Sequence, residues 1–182
     1  MNELQKYIYR VIVSIINTPG IDQFFEEDNE WRNQQIVNHA AIRYGILNYV
    51  AKFSLANNSY LITEDCYRNL INLGLIKGEK LRRATKGQKN KFTFEHPIPS
   101  NVISDLIIDN KDDESKIKNI LLKTNLVTAI TYEEDSKLRR SGFVSKMPLN
   151  WNYNSGDMFA RYREANIEIP SKRLEVWGAI AR

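Results

Sequence analysis

The chain begins with an apolar run, YIYRVIVSII, interrupted by Arg10. It predicts a helix ended by Pro19-Gly20, with a strand as the alternative because so many of its residues are β-branched. From Trp31 to about Leu55, the residues Ile36, Val37, Ala40, Ala41, Tyr44, Leu47, Val50 and Ala51 recur at three- and four-residue spacing. That spacing predicts a second helix with one apolar stripe. Asn57-Asn58-Ser59 reads as a turn. In LITEDCYRNLINLGLIKGEK, Thr63 is placed to cap a helix, Glu64 and Asp65 suit its positive end, and Gly74 suits a left-handed stop. Gly78 and Gly87 then mark turns, and a hairpin is expected whose second strand is Lys91 to Glu95.

Beyond Pro99, SNVISDLIID predicts a short helix capped by Ser100, and DNKDDE an acidic loop or cap. SKIKNILLK continues as a helix with Ile117, Ile120 and Leu121 on one side. NLVTAIT, from Asn125 to Thr131, has the β-branched apolar character of a strand. YEEDSKLRRSG predicts a helix ended by Gly142. A turn-rich aromatic stretch, MPLNWNYNSGD, precedes a further helix in DMFARYREANIEIP, and Lys172 and Arg173, before LEVWGAIAR, read as an exposed tail for which Trp177 is an anchor or an oligomer contact. The sum is an α+β protein. A mainly helical N-terminal part, residues 1–76, precedes a C-terminal part, residues 77–182, built around a small strand–strand–helix unit.

Composition narrows the class. An apolar share of 42% in 182 residues supports a packed core and excludes a disordered chain. The single cysteine, Cys66, excludes an intramolecular disulfide and a cysteine-rich zinc site. The first apolar run is too short to span a bilayer and lacks a basic start and cleavage site, so a cytoplasmic protein without a membrane partner is expected. Net charge is +4, a mild bias toward anionic partners.

That charge is concentrated. Residues 77–91 carry seven Lys or Arg against one acid, Glu79, centred on Lys80, Arg82, Arg83, Lys86 and Lys89. Density of this kind suits phosphate neutralisation with counterion release, so DNA is the expected partner. Helix, short strand, basic loop and return strand also resemble the second half of a winged helix-turn-helix module, with the helix near 64–73 on DNA and the loop as the wing. His39, on the second helix, is expected at the surface or the edge of the core.

The basic segment runs into KFTFEHPIPS, where Glu95 and His96 stand together at a strand end. A neutral imidazole can activate water near pH 7, and a divalent cation can stabilise charge growing on a phosphate. Hard ions such as Mg²⁺ want carboxylate oxygen. If the strand holding Asn125 pairs with the strand holding Glu95, the helix with Glu133, Glu134 and Asp135 can pack across both. An asparagine amide can then orient the imidazole.

These residues resemble the HNH, or His-Me finger, endonucleases. The likeness rests on Phe94-Glu95-His96-Pro97-Ile98-Pro99 and on Asn125-Leu126-Val127, over roughly residues 92–140. It implies a ββα-metal-like unit with His96 as general base, Asn125 as the residue that orients it, and Glu95 as a ligand of Mg²⁺ or Mn²⁺. The family's third position, usually His or Asn, falls where this chain has only carboxylates, Glu134 or Asp135. A restriction or defence role would suit such an enzyme, and a two-fold dimer would suit a palindromic site.

Other readings compete. Asp105 with Asp135-Ser136-Lys137 loosely fits the acid and lysine pattern of PD-(D/E)xK nucleases. Among Trp151, Tyr153, Phe159 and Tyr162, most are expected to fill the core. Arg161 is a phosphate-contact candidate, with Lys146 and Arg163 nearby. The expected activity is metal-dependent hydrolysis of DNA phosphodiester bonds. A non-enzymatic winged-helix regulator and a protein-binding module are the alternatives.

Overall fold

The computed structural model describes residues 1–21, 36–57, 59–78, 80–81 and 91–176, with the side chains of 36–42 and of Val176 outside that description. The chain forms two compact units that are not consecutive in sequence. One comprises Met1–Ala56 and Ser100–Asn125, the other Asn57–Pro99 and Leu126–Arg182. The expected boundary at residue 76 is therefore replaced by crossings after Ala56, Pro99 and Asn125. The fold is α+β. Among the described residues no helix is long and apolar enough to cross a membrane.

The first unit is helical. Helix α1 (Glu3–Ile16) starts at a capping box: the Asn2 side chain accepts from Gln5 N–H, and the Gln5 side chain accepts from Asn2 N–H. Ile8, Ile12 and Ile16 are buried at four-residue spacing, and the helix stops before Pro19-Gly20 as expected. Helix α2 (Ile36–Leu55) buries Ile46, Val50 and Phe53, while Tyr44 is 65% exposed. Of the predicted stripe, Val50 is buried and Tyr44 is not, while Ile46 and Phe53 join the buried face from outside it. Apolar residues stand on every face of α2, so spacing alone did not select the buried one. Helix α4 (Ser100–Ile108; α3 belongs to the second unit) buries Ile103 and Ile107. Helix α5 (Glu114–Lys123), capped by Asp113, buries Ile117, Ile120 and Leu121. Each of these large side chains contributes about 1.5–3 kcal/mol of burial.

Among its described residues, the second unit is a mixed sheet with three helices. Its strands are β1 (Ser59–Ile62), β2 (Ile76–Lys77), β3 (Lys80–Leu81), β4 (Phe92–Glu95), β5 (Thr128–Thr131) and β6 (Lys172–Val176), in spatial order β2-β3-β6-β1-β5-β4. β1 runs parallel to β5, and β3 parallel to β6; the remaining pairs are antiparallel. Helix α3 (Glu64–Asn72) follows β1, α6 (Tyr132–Arg140) follows β5, and α7 (Ala160–Glu164) precedes β6. Ile130, Leu138, Tyr162, Ala165 and Ile167 form one core cluster, joined by Phe143, Phe159 and Ile169.

Three sequence expectations change here. The hairpin with a second strand at Lys91 to Glu95 does not form. Ile76-Lys77 turns at Gly78 and pairs with Lys80-Leu81, while β4 is the opposite edge of the sheet and pairs with β5. The described strands of the expected wing, β3 and β4, thus stand at different places in the sheet and do not pair with one another. The predicted tail begins as β6, a strand between β3 and β1 with Leu174 buried; Trp177 lies outside the described residues. β1 is a strand the sequence pattern does not predict, starting at Ser59 within the expected turn.

The expected strand pair does exist. β4 and β5 are antiparallel, with Glu95 opposite Thr128 and Phe92 opposite Thr131, and α6 lies against both. It is the edge of a six-stranded sheet, not a separate small unit.

Candidate functional site

Arg161 organises the end of β4. It projects from α7 and is completely buried. Its Nε donates to the Pro97 carbonyl at 2.9 Å and one terminal nitrogen to the Phe143 carbonyl at 2.6 Å. The other terminal nitrogen bonds both the Glu95 carboxylate and the His96 carbonyl. A guanidinium has five N–H donors in a fixed fork, and here they tie the strand end to the segment after α6. The expected phosphate contact at Arg161 is thus corrected: the group faces protein on every side.

Glu95 is consequently engaged. Burial raises its pKa, and the Arg161 charge opposes that rise. Asp135 adds a smaller push in the same direction as burial, so the two carboxylates are electrostatic neighbours. Asp135 itself accepts from Arg139 Nε at 2.8 Å. Glu134 is 3% exposed, and its Oε2 accepts from Thr131 N–H and from the Thr63 hydroxyl, both at 2.8 Å. Its run of acids thereby serves the helix start, in a capping box with Thr131.

His96 is half-buried with Nε2 inside the protein. Asn125 ends the stretch of chain in the first unit. It does not open a strand, because β5 begins at Thr128 and the ladder ends at Glu95. His96 and Asn125 are both outside that ladder.

These residues do not fit a Mg²⁺ or Mn²⁺ site. Glu95 and Asp135 each face an arginine, and Glu134 is consumed by caps. Among the described residues no group of three acids, histidines or cysteines is arranged to hold a metal. The PD-(D/E)xK pattern fares no better. Asp105 pairs with Arg43 within the helical unit, and Asp135 and Lys137 lie on a helix where that pattern needs a strand.

Of the predicted cationic residues, Lys80 is exposed and pairs with Glu175 at 3.5 Å across the β3–β6 ladder. Arg82, Arg83, Lys86 and Lys89 lie outside the described residues. Lys91 is exposed and leads to a feature that sequence reasoning missed.

That feature is a cavity of about 650 Å³ between α3 and α6. Asp65, Arg68, Asn69 and Asn72 line it from α3, and Thr131, Tyr132, Glu133, Glu134 and Lys137 from the start of α6. Lys91 contributes a third cation. Adjacent parallel strands explain the placement. β1 and β5 end side by side and each leads into a threonine-capped helix, the position where open α/β sheets form crevices. Arg68 lies 3.5 Å from Glu64 and 3.7 Å from Asp65 on its own helix. Lys91 and Lys137 make no ion pair among the described residues. The sequence signal was a repeated order, Leu61-Ile62-Thr63-Glu64-Asp65 and Ala129-Ile130-Thr131 followed by Glu133-Glu134-Asp135: strand, threonine cap, acids.

Trp151 donates its indole N–H to the Asp157 carbonyl at 2.9 Å, and Tyr162 is buried against Phe159, with ring centroids 5.7 Å apart. These contacts hold the aromatic region together from within. The chain matches no protein-family profile, no curated protein and no solved structure.

Proposed function

We propose that this protein binds nucleic acid, with DNA as the first substrate to test, through phosphate contacts made by the basic segment 77–91 and by the cavity that Lys91 lines. The observation that carries the proposal is Lys91. It is the last base of a segment with seven cations and one acid, and it lines a concave surface with Arg68 and Lys137. The charge density read in the sequence therefore continues into a cavity of the fold. The cations crowded along segment 77–91 repel one another, and a nucleic-acid backbone relieves that repulsion while releasing condensed counterions; the mixed lining of the cavity leaves room for a single phosphate among its cations.

The test is binding of labelled duplex and single-stranded DNA at several salt concentrations. Affinity is expected to fall linearly with salt on a logarithmic plot, by about 0.7–0.9 per phosphate neutralised. Salt-independent binding, or none at low salt, would leave a protein-binding role as the reading. Incubation of plasmid with Mg²⁺, Mn²⁺ or EDTA decides the endonuclease reading. Since Glu95 and Asp135 face arginines, binding without cleavage is expected. Metal-dependent nicking that His96→Ala abolishes would reinstate the endonuclease.

A further inference from the structure

The lining of the α3–α6 cavity is mixed. Arg68, Lys91 and Lys137 supply cations, Asp65 and Glu133 supply acids beside Glu134, whose Oε2 is already engaged by Thr131 and Thr63, and Asn69 and Asn72 supply amides. A row of phosphates would meet the acids and be repelled. An apolar molecule would strand the charges without partners. A ligand with one anionic group and several hydrogen-bond donors satisfies both halves of the lining. Resting on the nucleic-acid reading above, we propose that this cavity binds a single nucleotide unit. Its phosphate lies among Lys91, Arg68 and Lys137, and its sugar hydroxyls and base amino groups meet Asp65, Glu133 and the two asparagines.

Size agrees, since ligand pockets run about 300–1,000 Å³ and this one is about 650 Å³. The helix starts contribute little to the phosphate. In α3 the Thr63 hydroxyl already accepts from Cys66 N–H, and in α6 the Thr131 hydroxyl accepts from Glu134 N–H. The anion is accordingly held by flexible side chains, and its binding is sensitive to salt. Two sources offer this chemistry: a free mononucleotide, and the phosphorylated end of a strand.

The experiment uses the full chain. Calorimetry measures AMP, GMP, CMP and UMP beside the corresponding nucleosides. Fluorescence anisotropy compares one labelled oligonucleotide bearing a terminal phosphate with the same strand bearing hydroxyl ends. Lys91→Gln and Lys137→Gln are each expected to weaken binding roughly tenfold, the loss of one charge-assisted hydrogen bond. Lys118→Gln, on exposed α5 surface, is expected to change nothing. Mononucleotide binding that needs the phosphate identifies the free nucleotide as a source. A preference for the phosphorylated strand identifies the strand end. The inference is overturned if neither preference exists, or if both lysine variants bind as wild type does. Oligonucleotide binding indifferent to the terminal phosphate, with no mononucleotide binding, would sink this inference and leave the nucleic-acid reading intact. Mononucleotide binding without any oligonucleotide binding would do the reverse.

Discussion

Arg161 and Glu95 illustrate how a charged residue can be read wrongly from its sequence neighbours. In RYREAN the arginine looks solvated, yet it is wholly buried and bonds five residues at the end of β4, just beyond it and after α6. Removing one partner of a buried pair leaves the other uncompensated, which costs about 3–5 kcal/mol. Arg161→Met is expected to lose stability of that order in denaturant unfolding. Glu95→Gln, which keeps an acceptor oxygen, is expected to lose less. Equal and small losses would mean that the guanidinium is not the tie described here. Cys66 gives a second check at this scale. It is completely buried, and burial, with a smaller push from Glu134, raises its thiol pKa. A raised pKa means that the folded state favours the neutral thiol. Its contribution to stability is thus present below the ordinary thiol pKa of about 8.5 and is lost as pH rises beyond it. A thiol reagent at mildly alkaline pH is expected to leave the native protein unlabelled and to label it fully in concentrated guanidinium chloride. Rapid labelling of the native protein would contradict that burial.

At the scale of elements, the second unit turns on two strand-to-helix junctions. Glu134 accepts from Thr131 N–H at its own helix start and from the Thr63 hydroxyl at the other, so one carboxylate couples the starts of α3 and α6. Glu134→Ala is expected to cost about 1–3 kcal/mol, the range for a buried donor left unsatisfied, with Glu134→Gln much milder. An alanine variant as stable as wild type would remove this coupling. Gly74 closes α3 with a φ of 65°, and nothing lies within 4 Å of a β-carbon placed there. Gly74→Ala is therefore expected to cost about 1 kcal/mol from backbone conformation alone. Helix ends of this kind were legible from local chemistry: Thr63, Asp113, Gly74 and Gly142 stand where a cap or stop was expected. Strand partners were legible only in part. The pairing of β4 with β5 was expected, whereas the pairs β1–β5, β1–β6 and β3–β6 are set by contacts far apart in the chain that no local pattern encodes. β2, β3 and β6 are short or half exposed, so alternation had too few positions to show.

The whole molecule was least legible. Two units interleave because the chain leaves the sheet after Pro99 and returns after Asn125. The helices α4 and α5 that separate His96 from Asn125 belong to the helical unit. The expected catalytic set was drawn from residues 95, 96, 125, 134 and 135, of which Asn125 belongs to the helical unit and the other four to the sheet unit. The basic segment was visible as composition, whereas the cavity that extends it required β1 and β5 to be neighbours. Its central test is the salt dependence of DNA binding by wild type, Lys91→Gln and Lys137→Gln. The account expects a steep negative slope for wild type that becomes shallower by about 0.7–0.9 in each variant. Identical slopes in all three, or no salt dependence at all, would contradict it.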